Sequence, residues 1–248
     1  MSLAVELLEC PKCRAGQLRE TEASVACGRC QSAFPVRDGI GAFMRDFDDY
    51  TDNYDQICAD DLREPKTPGI VKEIFTRLVR ERATGVTCDL GCGDGYVIRH
   101  VDAPRKVAVD IALEYLKRLP GSVTRLWSRI EHAPVRSGAF DTIICTDVIE
   151  HVQDVTPVRD RIVDALAPGG RALLAFPFEQ DLSVYDLPAY KARFGKYKYV
   201  HLRSIDEAFV ARTFPEFDVV FEHLITEGMA LMEFKPYPIK FVELRRTR

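Results

Sequence analysis

In the stretch Cys88-Asp89-Leu90-Gly91-Cys92-Gly93-Asp94-Gly95, three glycines alternate with other residues directly after an apolar run. Val86 to Leu90 predicts a strand and Tyr96 to about Val101 a helix, so the glycines fall in a strand-to-helix turn. Glycine lets backbone approach a ligand where a Cβ would collide, and a helix start offers N–H groups without intrahelical partners. Such a turn suits a nucleotide-like ligand. The dinucleotide fingerprint requires a further glycine at the position held here by Tyr96, where it allows close helix–strand packing. A nicotinamide-dinucleotide site is therefore disfavoured.

Working outward, Lys106 to Asp110 is a short apolar strand ending in a carboxylate. Together, Asp89-x-Gly91-x-Gly93-x-Gly95 and Asp110 resemble the first two motifs of class I S-adenosylmethionine-dependent methyltransferases. The resemblance extends over roughly residues 70 to 180. It implies an α/β fold, a Rossmann-like seven-stranded sheet with helices on both faces. It also implies that Asp89, Gly91, Cys92 and Gly93 carry the methionine part of S-adenosylmethionine, and that Asp110 with Ile111 takes the ribose.

Val123 to Trp127 predicts the third strand, after which the family usually places an aspartate to read the adenine amine. The aligned residue is Arg129, which has no acceptor. Either Ser128 or Glu131 is the reader, or backbone and apolar neighbours such as Ile130 hold the ring. Strand four, Asp141 to Thr146, runs into Asp147-Val148-Ile149-Glu150-His151, which resembles the family's post-strand segment. Ligands in open α/β sheets sit beyond the carboxyl ends of the strands, so Thr146, Asp147, Glu150 and His151 are expected at the reaction site, with Thr146 on the cofactor. His151 is the catalytic candidate, because imidazole titrates near neutrality and can take a proton from a hydroxyl or amine. Its alternative is packing or capping the next helix. Transfer to an atom that is already nucleophilic needs orientation more than a base. A helix over Val158–Leu166 stops at Ala167-Pro168-Gly169-Gly170, a further family hallmark, and Arg171–Phe176 predicts strand five.

Cys10-x-x-Cys13 and Cys27-x-x-Cys30 form two knuckles separated by thirteen residues, a zinc-ribbon spacing. Each pair presents two thiolates from a tight turn, and two turns close a tetrahedral site with no position left for water. The expected Zn2+ is structural, supporting a segment too short to build its own core. The flanking Phe34-Pro35-Val36-Arg37-Asp38-Gly39-Ile40 resembles the small zinc-ribbon protein that activates RNA and release-factor methyltransferases. The expected organisation is a ribbon module over residues 1–45, a connector over 46–69, and a methyltransferase domain over 70–248 with a substrate-cover insertion at about 179–203.

Cys58, Cys88, Cys92 and Cys145 lack paired spacing and read as small buried hydrophobes. Thiol usage without a signal-peptide pattern points to a reducing interior, and no apolar run approaches the roughly 20 residues of a membrane span. A soluble, cytoplasmic protein is expected. The net charge of −4 is unevenly spread, since residues 46–64 hold one basic and eight acidic residues. This connector is aromatic as well as acidic, so Tyr50 and Tyr54 are candidates for a lid over cofactor or substrate; a charged tether is the alternative. Residues 187–205 carry Lys191, Arg193, Lys196, Lys198 and Arg203 among Tyr190, Phe194, Tyr197 and Tyr199. Cations beside aromatic rings suit a planar or phosphorylated acceptor, making Tyr54, Tyr190, Lys191, Arg193 and Tyr197 the expected substrate contacts, unless the stretch is a plain surface loop. Ser204-x-x-Glu207 predicts a capping box opening a helix. Phe217–Ile225 and Met229–Phe234 predict the closing strands, and the Arg245-Arg246 tail a solvated end.

The expected activity is methyl transfer from S-adenosylmethionine to a small anionic metabolite. RNA methylation is the rival, disfavoured by the mild net acidity and the single short basic stretch. A non-catalytic regulatory module is a third reading. Neither the oligomeric state nor the acceptor atom follows from the sequence.

Overall fold

The computed structural model describes residues 3–64, 69–178, 182–227 and 238–246. The N-terminal segment forms strands β1 (Leu18–Glu20), β2 (Ser24–Cys27), β3 (Ala33–Arg37) and β4 (Ile40–Ala42). Helices α1 (Asp49–Arg63) and α2 (Ile70–Arg82) follow. Strands and helices then alternate: β5 (Thr87–Leu90), α3 (Tyr96–Arg99), β6 (Lys106–Asp110), α4 (Leu113–Leu116), β7 (Thr124–Trp127), β8 (Phe140–Thr146), α5 (Val155–Ala165) and β9 (Leu166–Pro177). The chain closes with α6 (Pro188–Phe194), α7 (Phe209–Thr213), β10 (Phe217–Ile225) and β11 (Ile239–Arg246).

Every residue of β5 is buried, as expected of a parallel strand covered on both faces. β6 and β8 flank it in parallel, and the chain travels outward through β6 to β7 before crossing back to β8 and β9. The reversal of strand order beside β5 opens a crevice at the strand ends, and the glycine turn lies there. β11 enters antiparallel between β9 and β10.

The sheet is larger than the seven strands expected from the sequence. β4 pairs in parallel with β7, matching Ile40 to Arg125 and Ala42 to Trp127, and the order becomes β1-β2-β3-β4-β7-β6-β5-β8-β9-β11-β10. β7 would otherwise expose an unpaired edge, a template for unwanted strand pairing. The N-terminal segment also shares a core with the rest: Leu3, Leu8, Phe34 and Phe43 pack in one cluster with Val107, Leu126 and Phe140. Burying each such side chain contributes roughly 1.5–3 kcal/mol. Glu9, itself buried, accepts Arg14 at 2.8 Å and Arg161 of α5 at 3.3 Å, so a charged clamp reinforces the apolar joint.

One further expectation is corrected. No helix starts at Ser204; α7 begins at Phe209, because the Glu207 carboxylate pairs with Lys240 at 3.0 Å instead of folding back to cap. The Arg245-Arg246 end is exposed, as expected, while it completes β11 with Arg245 in register with Arg171. The strand expected at Met229–Phe234 falls outside the described residues.

Candidate active site and cysteine cluster

Four strand ends, those of β5, β6, β7 and β8, surround a cavity of about 180 Å3. Gly91 has φ of 79°, and a Cβ there would lie 2.5 Å from Val148, so the turn closes tightly only with glycine. Gly93 also has positive φ, but its Cβ direction meets nothing within 4 Å, leaving space for a ligand against the backbone. Asp110 is held rigidly at the end of β6. Its Oδ2 accepts the Gly93 N–H at 2.7 Å, its Oδ1 accepts the Ala112 N–H at 2.8 Å, and Trp127 Nε1 donates to the Ile111 carbonyl at 2.8 Å. Each carboxylate oxygen keeps accepting capacity for a further donor. Burial pushes the Asp110 carboxyl up to about 6.

Asp89 is 1 % exposed and neither of its oxygens has a hydrogen-bond partner. Burial, reinforced by the charge of Asp110, pushes its carboxyl up to about 8. A buried unpaired carboxylate is costly, and a cationic group arriving in the adjacent turn would offset that cost. S-adenosylmethionine, which carries an ammonium and two ribose hydroxyls, fits these residues: an orphaned acid, a glycine cradle, and an acid at the neighbouring strand end.

Gly91, Gly93, Asp110, Ile111, Ile130 and His151 all line this cavity, as do Tyr50 and Tyr54 of α1. Asp89, Cys92 and Thr146 are buried outside its lining. Asp147 lines it with φ of 53°, a backbone conformation that non-glycine residues rarely adopt and that concentrates at functional sites. Arg129 occupies the position where an acid was expected, and its Nη2 donates to both oxygens of Asp48 at 2.8 and 2.9 Å. Asp48 in turn caps α1, accepting the N–H groups of Tyr50 and Thr51, while the Thr51 hydroxyl accepts from the Asp48 N–H. The guanidinium therefore ties α1 to the loop after β7. Ser128, Ile130 and Glu131 remain in the lining beside it.

A second cavity, of about 490 Å3, meets the first at Ile57 and His151. Its walls include Tyr190, Phe194, Tyr197 and Tyr199 from the insertion and Asp60, Asp61 and Glu64 from α1. The basic stretch expected to hold an anion is largely occupied by the acidic connector. Lys196 and Tyr197 donate to Asp60 at 2.6 and 2.8 Å, holding its carboxyl well below the usual range. Lys198 and Tyr199 donate to Asp49, and the Lys198 N–H donates to Asn53 at 2.6 Å. Lys191 pairs with Asp186 at 2.9 Å and lies outside the second cavity. The Arg193 side chain falls outside the described residues. Burial raises the Tyr54 phenol, whose hydroxyl donates to the Tyr199 carbonyl at 3.2 Å. Nothing in the sequence pattern marked Tyr115 or His201, which line the first and second cavities; the Asp48-x-x-Thr51 cap was a legible signal for where α1 begins.

At the other end of the sheet, Cys10, Cys13, Cys27 and Cys30 bring four sulfurs within 4.8 Å of one another. The Cys10–Cys30 and Cys13–Cys27 Sγ pairs are each 3.6 Å apart. A tetrahedral zinc with bonds of about 2.3 Å has sulfur–sulfur edges of about 3.8 Å. The Ser32 hydroxyl and N–H pull the Cys30 thiol down to about 6, favouring the thiolate that binds metal.

Residues 63–214 match the family model described as a methyltransferase domain. The chain belongs to this methyltransferase family. Over 118 residues it is 30% identical to the ubiquinone biosynthesis O-methyltransferase of Xanthomonas euvesicatoria pv. vesicatoria, covering 44% of this chain and 48% of that protein. The chain thus spans about half the length of the curated relatives it matches. Among solved structures, phosphoethanolamine N-methyltransferase 2 of Haemonchus contortus, in complex with S-adenosyl-L-methionine, shares the fold with a TM-score of 0.57 and 15% identity, over 88% of this chain and 62% of that one. A chain from the complex containing the Haloferax volcanii Trm112 methyltransferase activator does so with a TM-score of 0.62 and 13% identity, over 80% of this chain and 98% of that one. Among the described residues, no helix is long and apolar enough to cross a membrane.

Proposed function

We propose that this methyltransferase methylates a hydroxyl of a small aromatic acceptor seated in the second cavity. The observation that carries the reading is the meeting of the two cavities at Ile57 and His151, which gives donor and acceptor a shared wall. The acceptor cavity is ringed by aromatic side chains suited to stacking. Its charged lining consists of Asp60, Asp61 and Glu64 against Arg63 and Lys196, three acids to two bases, which argues for a neutral ring over the anionic metabolite expected from the basic stretch. The O-methyltransferase names of the curated relatives support an oxygen acceptor.

Gly91, Gly93 and Asp89 would hold the methionine end of the cofactor, Asp110 and Ile111 the ribose, and Ile130 the adenine ring. When bound, S-adenosylmethionine supplies an electrophilic methyl on a sulfonium whose sulfur leaves as a neutral thioether. The protein's part is alignment and exclusion of water. Tyr50 and Tyr54, on a helix anchored by Arg129 at its start and by the insertion along its length, cover the cofactor cavity. His151 donates from Nδ1 to the Val200 carbonyl, which assigns the unprotonated lone pair to Nε2 in the neutral ring. Nε2 is then the atom at the junction that can take the acceptor's proton as its oxygen bonds the methyl carbon. Cys10, Cys13, Cys27 and Cys30 would bind a structural zinc that braces β1–β4.

Incubation with S-adenosylmethionine carrying a radiolabelled methyl, against a panel of phenols and catechols and against total tRNA and rRNA, tests the acceptor class. Label is expected in the phenolic panel and suppressed by S-adenosylhomocysteine. Label confined to RNA would overturn the proposal.

A further inference from the structure

Glu150, His151 and His201 come from two segments stitched together beside the acceptor cavity. His151 Nδ1 donates to the Val200 carbonyl, and the Leu202 N–H donates to the Glu150 carbonyl at 2.8 Å. Arg203 adds bonds to the carbonyls of Ile149 and of Gln153, the latter at 3.1 Å. His201 lies between the first two anchors, so its ring is delivered edge-on to His151, with centroids 5.0 Å apart. One nitrogen from each imidazole and one Glu150 oxygen lie within 4.8 Å of one another, and both histidines line the acceptor cavity.

We propose that these three side chains bind a divalent transition-metal ion, of the Mn2+, Fe2+, Co2+ or Zn2+ class. Imidazole nitrogens favour such ions over Mg2+ or Ca2+, and a carboxylate completes a two-histidine, one-acid donor set that leaves positions open for an exogenous oxygen. His151 already has the outer partner that ligating histidines use: Nδ1 donates to a backbone carbonyl, which turns the Nε2 lone pair to the ion. Nε2 stands 3.8 Å from Glu150 Oε1. An ion about 2.1 Å from each donor needs them roughly 3.0–3.4 Å apart, so the His151–Glu150 pair closes by less than about 1 Å and the His201 nitrogen, within 4.8 Å of both, closes by rotation of its side chain.

The inference rests on reading the second cavity as the acceptor site and specifies how that site activates its substrate. A hydroxyl coordinated to the ion releases its proton to water in the cavity, and the resulting oxygen anion bonds the methyl carbon as the carbon–sulfur bond breaks. Nε2 cannot hold a proton and a metal together, so in the metal-loaded enzyme His151 is a ligand and coordination replaces its role as base.

The test uses the full chain with its cysteine cluster zinc-loaded, titrated with Mn2+ by calorimetry and by electron paramagnetic resonance. One Mn2+ is expected per chain, with affinity at least tenfold weaker in His201→Ala. S-adenosylhomocysteine binding should be unchanged in that variant, which reports on folding because His201 lies outside the cofactor cavity. Should His201→Ala lose cofactor binding, His201→Gln, which keeps a side chain of similar reach, supplies the same comparison. Equal Mn2+ affinity in variant and parent overturns the inference, as does failure of Mn2+, Co2+ and Zn2+ to bind beyond the cysteine cluster. Methyl transfer to phenols that persists in metal-free enzyme while no second metal binds would sink the metal alone; absence of transfer to any phenol, with metal bound, would sink the acceptor reading.

Discussion

Replacing Asp89 by asparagine removes a buried charge while keeping the shape of the side chain. In the native fold the Asp89 carboxyl titrates at about 8 against an ordinary 3.8. At about 1.4 kcal/mol per pH unit, that gap sets a ceiling of roughly 6 kcal/mol on the cost of folding with Asp89 ionised. A protein dielectric that relaxes around the charge brings the expected figure to about 2–3 kcal/mol. Between pH 4 and pH 8 the folded chain retains a proton that the unfolded chain has released, so this group's contribution falls as pH rises. Asparagine does not titrate and lacks the fall. Urea denaturation without cofactor, at pH 5 and pH 8, should find Asp89→Asn more stable than the parent at pH 8 by about 2–3 kcal/mol, with the difference shrinking towards pH 4. Calorimetry should find the variant binding S-adenosylhomocysteine roughly 10- to 100-fold more weakly, the loss of a charge-assisted bond of about 1.5–3 kcal/mol. A variant whose stability declines between pH 5 and 8 as steeply as the parent's, or which is the less stable at pH 8, would refute the reasoning.

Two other outcomes follow from the way the segments are joined. Stripping metal from the cysteine cluster, or Cys30→Ser, should lower the melting temperature of the whole chain in one cooperative transition, because Phe34 and Phe43 share a core with Val107 and Leu126; separate early melting of residues 3–45 with the rest unchanged would count against it. Arg129→Ala should raise hydrogen exchange over residues 48–63 and weaken S-adenosylhomocysteine binding about two- to fivefold, in keeping with the roughly 0.5–1 kcal/mol of a partly exposed ion pair; unaltered exchange there would show that Asp48 needs no partner.

The glycine turn was legible because its chemistry is local. Gly91 and Gly93 sit within a few residues of the strand and helix that define them, and their positive φ values are written into the residue type. Asp110 was equally plain, as the first acid after an apolar run. The cysteine pairs were read from spacing alone, and their sulfurs do converge. The basic stretch misled because its counter-ions, Asp49 and Asp60, lie 136 residues or more away in sequence. Charge counting over a window sees cations and misses the distant acids that neutralise them. Ser204 failed for a related reason: a local capping box lost its glutamate to Lys240, a tertiary partner.

Local rules thus carried the glycine turn and the four-cysteine motif, since each depends on backbone freedom or ligand spacing within a short span of chain, and the resemblance resting on that turn and Asp110 carried the fold class and the methyl donor. The union of the N-terminal strands with the main sheet through β4 and β7 depends instead on a long-range pairing register. So does the closure of α1 against the insertion, which creates the second cavity. The meeting of Glu150 and His151 with His201 required a segment 50 residues downstream of His151 to dock on the loop after β8. These features rest on packing and charge pairing between distant segments, and a one-dimensional pattern holds no record of which distant partners come into contact.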